Sequence, residues 1–477
     1  MKAARLVIPA VRWHEDTGFE HEYAAIDGAI AAGVGGFIVF GGTAPQVLAL
    51  VDRVTRLAGR PLLIAADLER GAGQQVEGLA ELPPPAALAT LDDLGAVRQA
   101  GLITARSARS VGINWVLAPV ADLDLEPANP IVQTRSFGAA PDRVAQLVAA
   151  WIDGARAGGA LTAVKHFPGH GRTVHDSHQR MPVVAASDAE LAATDLVPFR
   201  AAIAAGADAV MTAHVAFPAL DPSGTPATRS RPILERLRGP MGFDGLVVTD
   251  ALVMEGFAGG IGAARAAVEA VSAGVDVLLY PADVSATIAA LEGAAALDPE
   301  FARAVEAALA RYAYALDRAS SRFELPAVPY SKGPDAADAG FAADLARRLL
   351  TEAPPVPLRT PIELVVVDDD VDGAFPASPS NYVSRALARQ HVPLGSGGSR
   401  VVLAFAEPRA SKGRGGFGDR SRTLLAAEVP GADLVVLFGH PRLRDAIPEG
   451  VPVVQAWHRQ RLMQEAVAAW LIDQLGG

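Results

Sequence analysis

Short apolar runs alternate with amphipathic stretches at regular intervals through the first part of the chain. The runs cover residues 6–9, 36–40, 61–67, 114–120, 160–165, 209–214, 245–250 and 275–280. They are apolar throughout rather than at every second position, the pattern of strands buried on both faces. Between them, residues 22–32, 45–57, 94–111, 142–157, 188–205, 232–237 and 262–273 repeat their apolar positions at helical spacing. Eight strands alternating with helices require right-handed crossovers, and so predict an α/β fold closed as a (β/α)8 TIM-like barrel.

Two further helical stretches, 284–296 and 302–319, complete that domain, expected over residues 1–324. Pro326, Pro329, Ser331, Gly333 and Pro334 then mark a linker over 325–335. From 336 to 477 the strand and helix alternation repeats on a smaller scale, with apolar runs at 363–367, 401–405, 434–438 and 451–456. That half reads as a smaller open α/β sandwich domain. Its segment 412–418, with Lys412, Arg414 and four glycines, lacks the spacing of either nucleotide-binding fingerprint and reads as a flexible loop.

Polar residues gather at the C-terminal ends of the runs. Asp67 and Glu69 follow the third, Asp122 the fourth, Lys165 and His166 the fifth, His214 the sixth, Asp250 the seventh and Asp283 the eighth. In a parallel barrel all these ends share one mouth, where chemistry is placed. Charged residues also begin ordinary loops, and that plainer reading competes at each position. It is least satisfactory at Asp250, a carboxylate followed by apolar Ala251, Leu252, Val253 and Met254.

The densest stretch follows the run at 160–165: Lys165, His166, His170, Arg172, His175, Asp176 and His178 lie within fourteen residues. A metal site is one reading of so many imidazoles, but Pro168 and Gly169 keep His166 and His170 off one helix face. Acid–base chemistry is the stronger reading. In an extended or turning loop residues i and i+2 can meet, so Asp176 can accept the Nδ1 proton of His178 and leave Nε2 to act.

Composition narrows the classes. The chain has 477 residues, half of them hydrophobic, so it should contain two or three units. A net charge of −11 argues against an electrostatic grip on nucleic acid or anionic membrane. No unbroken apolar stretch is long enough to span a bilayer, and the N-terminal apolar run is too short for a signal segment. With no cysteine, a reducing, cytoplasmic setting is expected. Neither a cofactor nor a metal is expected, and the oligomeric state is left open between a monomer and a homodimer.

Residues 165–171 (Lys-His-Phe-Pro-Gly-His-Gly), then Asp176, Ser177 and His178, then Asp250 after Val247, Val248 and Thr249, resemble glycoside hydrolase family 3. The resemblance is to its bacterial β-N-acetylglucosaminidase branch. Asp67-Leu68-Glu69, Ala118 to Asp122, Asn129-Pro130-Ile131, Arg135-Ser136-Phe137 and Met211 to Val215 support it in the same order along the chain. The resemblance implies that Asp250 is the nucleophile of a retaining reaction and that His178, held by Asp176, is the acid and base. It implies that Asp67, Arg135, Lys165 and His166 bind the sugar hydroxyls, with Met254 lining the floor. His214 and Asp122 are expected to act behind that layer, and His170 and His175 to shape the loop. One departure stands out: Gln75 occupies the position where the family's hydrolases usually carry an arginine. The implied substrate is a sugar bearing terminal β-linked N-acetylglucosamine, such as a cell-wall fragment. Phosphate in place of water would make the same site a phosphorylase, since an imidazole does not repel phosphate as a carboxylate would. A β-glucosidase and a sugar-binding barrel without activity are the remaining alternatives.

Overall fold

A computed structural model describes residues 3–175, 181–258, 260–323, 333–350, 356–369, 378–408 and 412–475. The chain divides into two compact units. One comprises Met1–Ala80, Leu94–Glu126 and Gly138–Pro334; the other comprises Glu81–Asp93, Pro127–Phe137 and Asp335–Gly477.

The first unit is built on a curled parallel sheet. Seven strands pair in sequence order: β2 (Ala10–Arg12), β3 (Gly36–Phe40), β4 (Leu63–Ala66), β5 (Trp115–Val116), β6 (Leu161–Phe167), β7 (Ala209–Thr212) and β8 (Leu246–Thr249). Two short strands, β1 (Val7–Ile8) and β9 (Leu278–Leu279), form a separate parallel pair. Only Pro9 separates β1 from β2, so this extended segment pairs with β9 through its first half and with β3 through its second. Pro9 has no N–H to give, but its carbonyl still accepts from Ile38 at 3.0 Å.

Every apolar run of this unit contains a strand, though some strands are shorter than the runs. The run 114–120 yields only Trp115–Val116, because Pro119 cannot donate to a ladder; pairing resumes as Lys165 N–H donates to the Pro119 carbonyl at 3.1 Å. The expected helix over 188–205 is two helices, Asp188–Ala193 and Leu196–Ala204. Pro198 lacks the N–H that would reach back to Thr194, which breaks the helix there.

Local sequence explains the remaining helices. Ala44–Ala58 opens with a capping box between Thr43 and Gln46 and closes on Gly59 at φ 58°. Its Val47, Leu50, Val51 and Val54 are buried, as spacing of three and four demands. Helices Leu94–Ser110 and Pro141–Ala157 pack at glycines: a Cβ on Gly101 would stand 2.1 Å from the Trp151 carbonyl oxygen, and one on Gly154 1.8 Å from that of Arg98. No larger residue fits either position. Among the described residues no helix is long and apolar enough to cross a membrane.

The second unit holds a four-stranded parallel sheet: β10 (Ile362–Asp368), β11 (Ser399–Ala406), β12 (Leu434–Gly439) and β13 (Val453–Gln455). Alternate residues feed two cores. Val401, Leu403 and Phe405 pack with Leu345, Leu387 and Val467 on one face, while Val402, Ala404 and Ala406 pack with Phe417, Leu425 and Leu443 on the other. The expected flexible loop at 412–418 is tied down instead. Asp369 accepts from Lys412 Nζ at 3.0 Å, from Arg414 Nη2 at 2.7 Å and from the Gly418 N–H at 2.9 Å. Burial alone would raise the Asp369 carboxyl, but the Gly418 amide and the Lys412 charge outweigh it and hold the group below the usual carboxylate range. A carboxylate of the chain itself therefore uses the cationic groups that a phosphate would need.

Candidate active site

Because the strands of the curled sheet are parallel, their C-terminal ends lie on one side of it, and most of the singled-out polar residues stand there. Asp67 follows β4 directly, Lys165 and His166 are near the end of β6, His214 lies two residues beyond β7, and Asp250 follows β8. Asp122 joins them through His166. Asp283 does not; its side chain accepts from the Ala286 N–H at 2.8 Å and caps helix Val284–Leu297, the ordinary work of a carboxylate at a helix start.

Lys165 is 2% exposed, and its Nζ stands 2.7 Å from Asp67 Oδ1 and 2.7 Å from Glu69 Oε1. A buried ammonium is tolerated only with such partners. Glu69 was visible in the sequence as part of a motif but had no assigned role; its side chain is nearly buried and completes the neutralisation of Lys165.

Asp122 is fully buried and organises the histidine loop. Its Oδ2 stands 2.6 Å from His166 Nδ1, and its Oδ1 accepts from the His170 N–H at 2.7 Å and the His166 N–H at 3.2 Å. Burial pushes this carboxyl up, but His166 and the His170 amide outweigh it and keep Asp122 below the ordinary range. A carboxylate can only accept, so Nδ1 of His166 carries the proton and Nε2 points its lone pair or second proton elsewhere.

His170 sits 6.0 Å ring to ring from His166, with its Nδ1 2.7 Å from Thr173 Oγ1. Burial lowers its pKa to about 4, against the opposing pull of Asp122. The imidazole is therefore neutral at pH 7. Below pH 6.5 the unfolded chain takes up a proton that the folded chain refuses, so stability falls as pH drops from about 6.5 towards 4. Between pH 7 and 4.5 this one group should cost about 2 kcal/mol. Denaturant unfolding of His170→Gln at both pH values should show a pH slope flatter by that amount. An unchanged slope would assign the acid sensitivity to other groups.

Arg172 donates to Asp195 Oδ2 at 2.9 Å and to Thr194 Oγ1 at 3.0 Å, tying the loop to the break between the two helices. Asp195 gave no signal in the sequence, since it lies in a break between helices. Asp176, Ser177 and His178 lie outside the described residues.

Around Asp250, the backbone N–H donates to the Thr212 carbonyl at 3.2 Å and Oδ1 accepts from the Ala251 N–H at 2.8 Å. His214 is fully buried beside it, with Nδ1 2.8 Å from Thr228 Oγ1 and Nε2 3.2 Å from the Ala251 carbonyl. Met254 is buried on the following turn, its N–H donating to the same carbonyl at 3.1 Å. Gln75 accepts from the Gly41 N–H at 3.2 Å through Oε1. An arginine has no acceptor and could not make that bond.

Arg135 belongs to the second unit, on a short turn Gln133–Arg135. Asn129 Oδ1 accepts from the N–H groups of Ile131 and Val132 at 2.9 and 2.8 Å, and Gln133 Nε2 donates to the carbonyls of Asn129 and Gly415 at 2.8 and 2.9 Å. Arg135 Nη1 donates to the Ile131 carbonyl at 3.3 Å.

The glycosyl hydrolase family 3 N-terminal domain matches residues 29–313. A β-hexosaminidase of Tolumonas auensis is 40% identical over 268 residues, covering 54% of this chain and 79% of that one. A β-N-acetylglucosaminidase/β-glucosidase of Cellulomonas fimi is 37% identical over 257 residues, covering 52% of this chain; the match spans 46%, less than half, of that relative. Among solved structures, a family 3 β-N-acetylglucosaminidase from Paenibacillus sp. str. FPU-7 superposes with a TM-score of 0.83 at 27% identity, over 99% of this chain and 96% of the other.

Proposed function

Given that the chain belongs to glycoside hydrolase family 3, we propose that it hydrolyses terminal β-linked N-acetylglucosamine with retention of configuration. The observation that carries this reading is Asp250 at the end of β8, on the same side of the curled sheet as the Asp67–Lys165 and His166–Asp122 pairs. Asp250 would attack the anomeric carbon. The bond to the leaving oxygen breaks as His178, oriented by Asp176, gives that oxygen a proton, and the ester is then opened by water that His178 deprotonates. An imidazole suits this exchange because its ordinary pKa of about 6.5 lets it both give and take a proton near neutrality.

Asp67, Lys165 and His166 would hold the sugar hydroxyls through charge-assisted hydrogen bonds, and Met254 would line the floor beside Asp250. The catalytic domain would be a complete (β/α)8 barrel drawn from residues 1–324, of which 81–93 and 127–137 group with the second unit. The pairing of β1 with β9 and the bridge between Val248 and Val277 support that closure. A linker over 325–335 and an α/β sandwich over 336–477 would follow; residues 324–332 lie outside the described residues. Cytoplasmic N-acetylglucosamine-containing fragments of cell-wall turnover would be the substrates.

Incubation with 4-nitrophenyl β-N-acetylglucosaminide and with the corresponding glucoside, each with and without phosphate, tests the reading. We expect release from the first, with N-acetylglucosamine as the product whether or not phosphate is present. N-acetylglucosamine 1-phosphate would replace hydrolysis by phosphorolysis, preference for the glucoside would change the sugar, and no release from either would leave a binding module.

A further inference from the structure

His214 was expected to act at a distance from the substrate, and its surroundings specify how. Its ring is fully buried two residues beyond β7, with the Phe257 ring tilted against it at 5.3 Å between centroids. The neighbour at Nε2 is the Ala251 carbonyl at 3.2 Å, which can only accept, so Nε2 carries a proton. The neighbour at Nδ1 is the Thr228 hydroxyl at 2.8 Å.

These bonds close a circuit. Thr212 Oγ1 donates to Thr228 Oγ1 at 3.0 Å, and the Thr212 carbonyl accepts from the Asp250 N–H at 3.2 Å. Asp250 Oδ1 in turn accepts from the Ala251 N–H at 2.8 Å, and the Ala251 carbonyl returns to His214. Ala251 is thus gripped at both ends, by the carboxylate of Asp250 at its N–H and by His214 at its carbonyl.

We propose that His214 is a positioning residue for Asp250: by holding the Ala251 carbonyl, it fixes the backbone of Ala251, whose N–H engages the carboxylate at Oδ1. The inference rests on the assignment of Asp250 as nucleophile. When Asp250 attacks, one carboxylate oxygen forms the bond to the anomeric carbon while the glycosidic bond breaks and its electron pair leaves with the departing oxygen. A carboxylate free to swing would spend part of its time out of line, and small misplacements at the reacting atom are costly.

Two substitutions separate positioning from packing. The terminal amide of glutamine reaches where imidazole Nε2 lies and keeps a donor for the Ala251 carbonyl; that of asparagine stops near Nδ1. His214→Asn should lower kcat by about tenfold to a hundredfold while KM moves by less than about twofold. His214→Gln should stay within about threefold of the parent. Covalent trapping with an activated 2-deoxy-2-fluoro glycoside should slow in His214→Asn by the same factor as kcat. Should that variant fold poorly, Thr228→Val, which removes the hydroxyl on Nδ1, should give a smaller fall in kcat with KM held. Equal losses in the asparagine and glutamine variants, or parental trapping in the asparagine variant, would overturn the inference. The trapped peptide keeps the two readings apart. A label on a residue other than Asp250 removes the nucleophile assignment itself, whereas a label on Asp250 that forms at parental rate in His214→Asn removes only the role of His214.

Discussion

Asp250→Ala should reduce turnover of 4-nitrophenyl β-N-acetylglucosaminide by about 10⁴-fold or more. In the proposed mechanism the first step forms a bond to the carboxylate, so no other group can substitute for it at comparable rate. The fold should survive. Asp250 is only partly buried, on the first residue after β8, and the strand itself is held by Leu246, Val247 and Val248, which are buried. Thermal unfolding of the variant close to that of the parent would show that activity, not structure, was lost. A more specific result should follow on adding azide. The space left by the carboxylate admits a small anion, which would attack the face that Asp250 used and yield the glycosyl azide of inverted configuration. Turnover of the alanine variant near the parental rate would exclude Asp250 as nucleophile.

His178→Ala should divide substrates by leaving group. A nitrophenolate departs with little protonation, so activated aryl glycosides should lose about tenfold or less in the glycosylation step. Alkyl and sugar leaving groups need the proton and should lose about 10²–10⁴-fold. The measurement is kcat/KM across a series of aglycones of graded acidity, where the variant should show a much steeper dependence than the parent. Its alkaline limb should also vanish from the pH profile, since the group that must be protonated has been removed. Equal losses on all leaving groups would remove the acid role from His178.

The strands of the first unit were legible because a strand covered on both faces leaves an unbroken apolar run, and Gly36–Phe40, Ala209–Thr212 and Leu246–Thr249 fall inside such runs. Where strands ended was less legible. Nothing in the run 114–120 except Pro119 signals that only two residues pair, and the run at 6–9 continues past its own proline as a strand with different partners. The candidate site was legible in the residues at and just after strand ends, because parallel strands bring Asp67, Lys165 and Asp250 to one side. Their supporting partners were not. Glu69, Asp195 and Thr228 matter through pairings with residues distant in sequence, and the 95 positions between Glu69 and Lys165 carry no trace of that bond. Asp283 shows the opposite case, a carboxylate at a strand end that merely caps a helix. The glycine-rich segment at 412–418 looked loose by composition, yet one buried carboxylate, Asp369, gathers it.

The bond from the Gly41 amide to Gln75 bears on any attempt to redesign specificity. Introducing at position 75 the arginine usual among the hydrolases of the family would place a group without lone pairs against that amide, stranding it. A single exchange would therefore disturb the turn after β3 before it altered recognition. A workable redesign must change the turn at 41–42 together with residue 75.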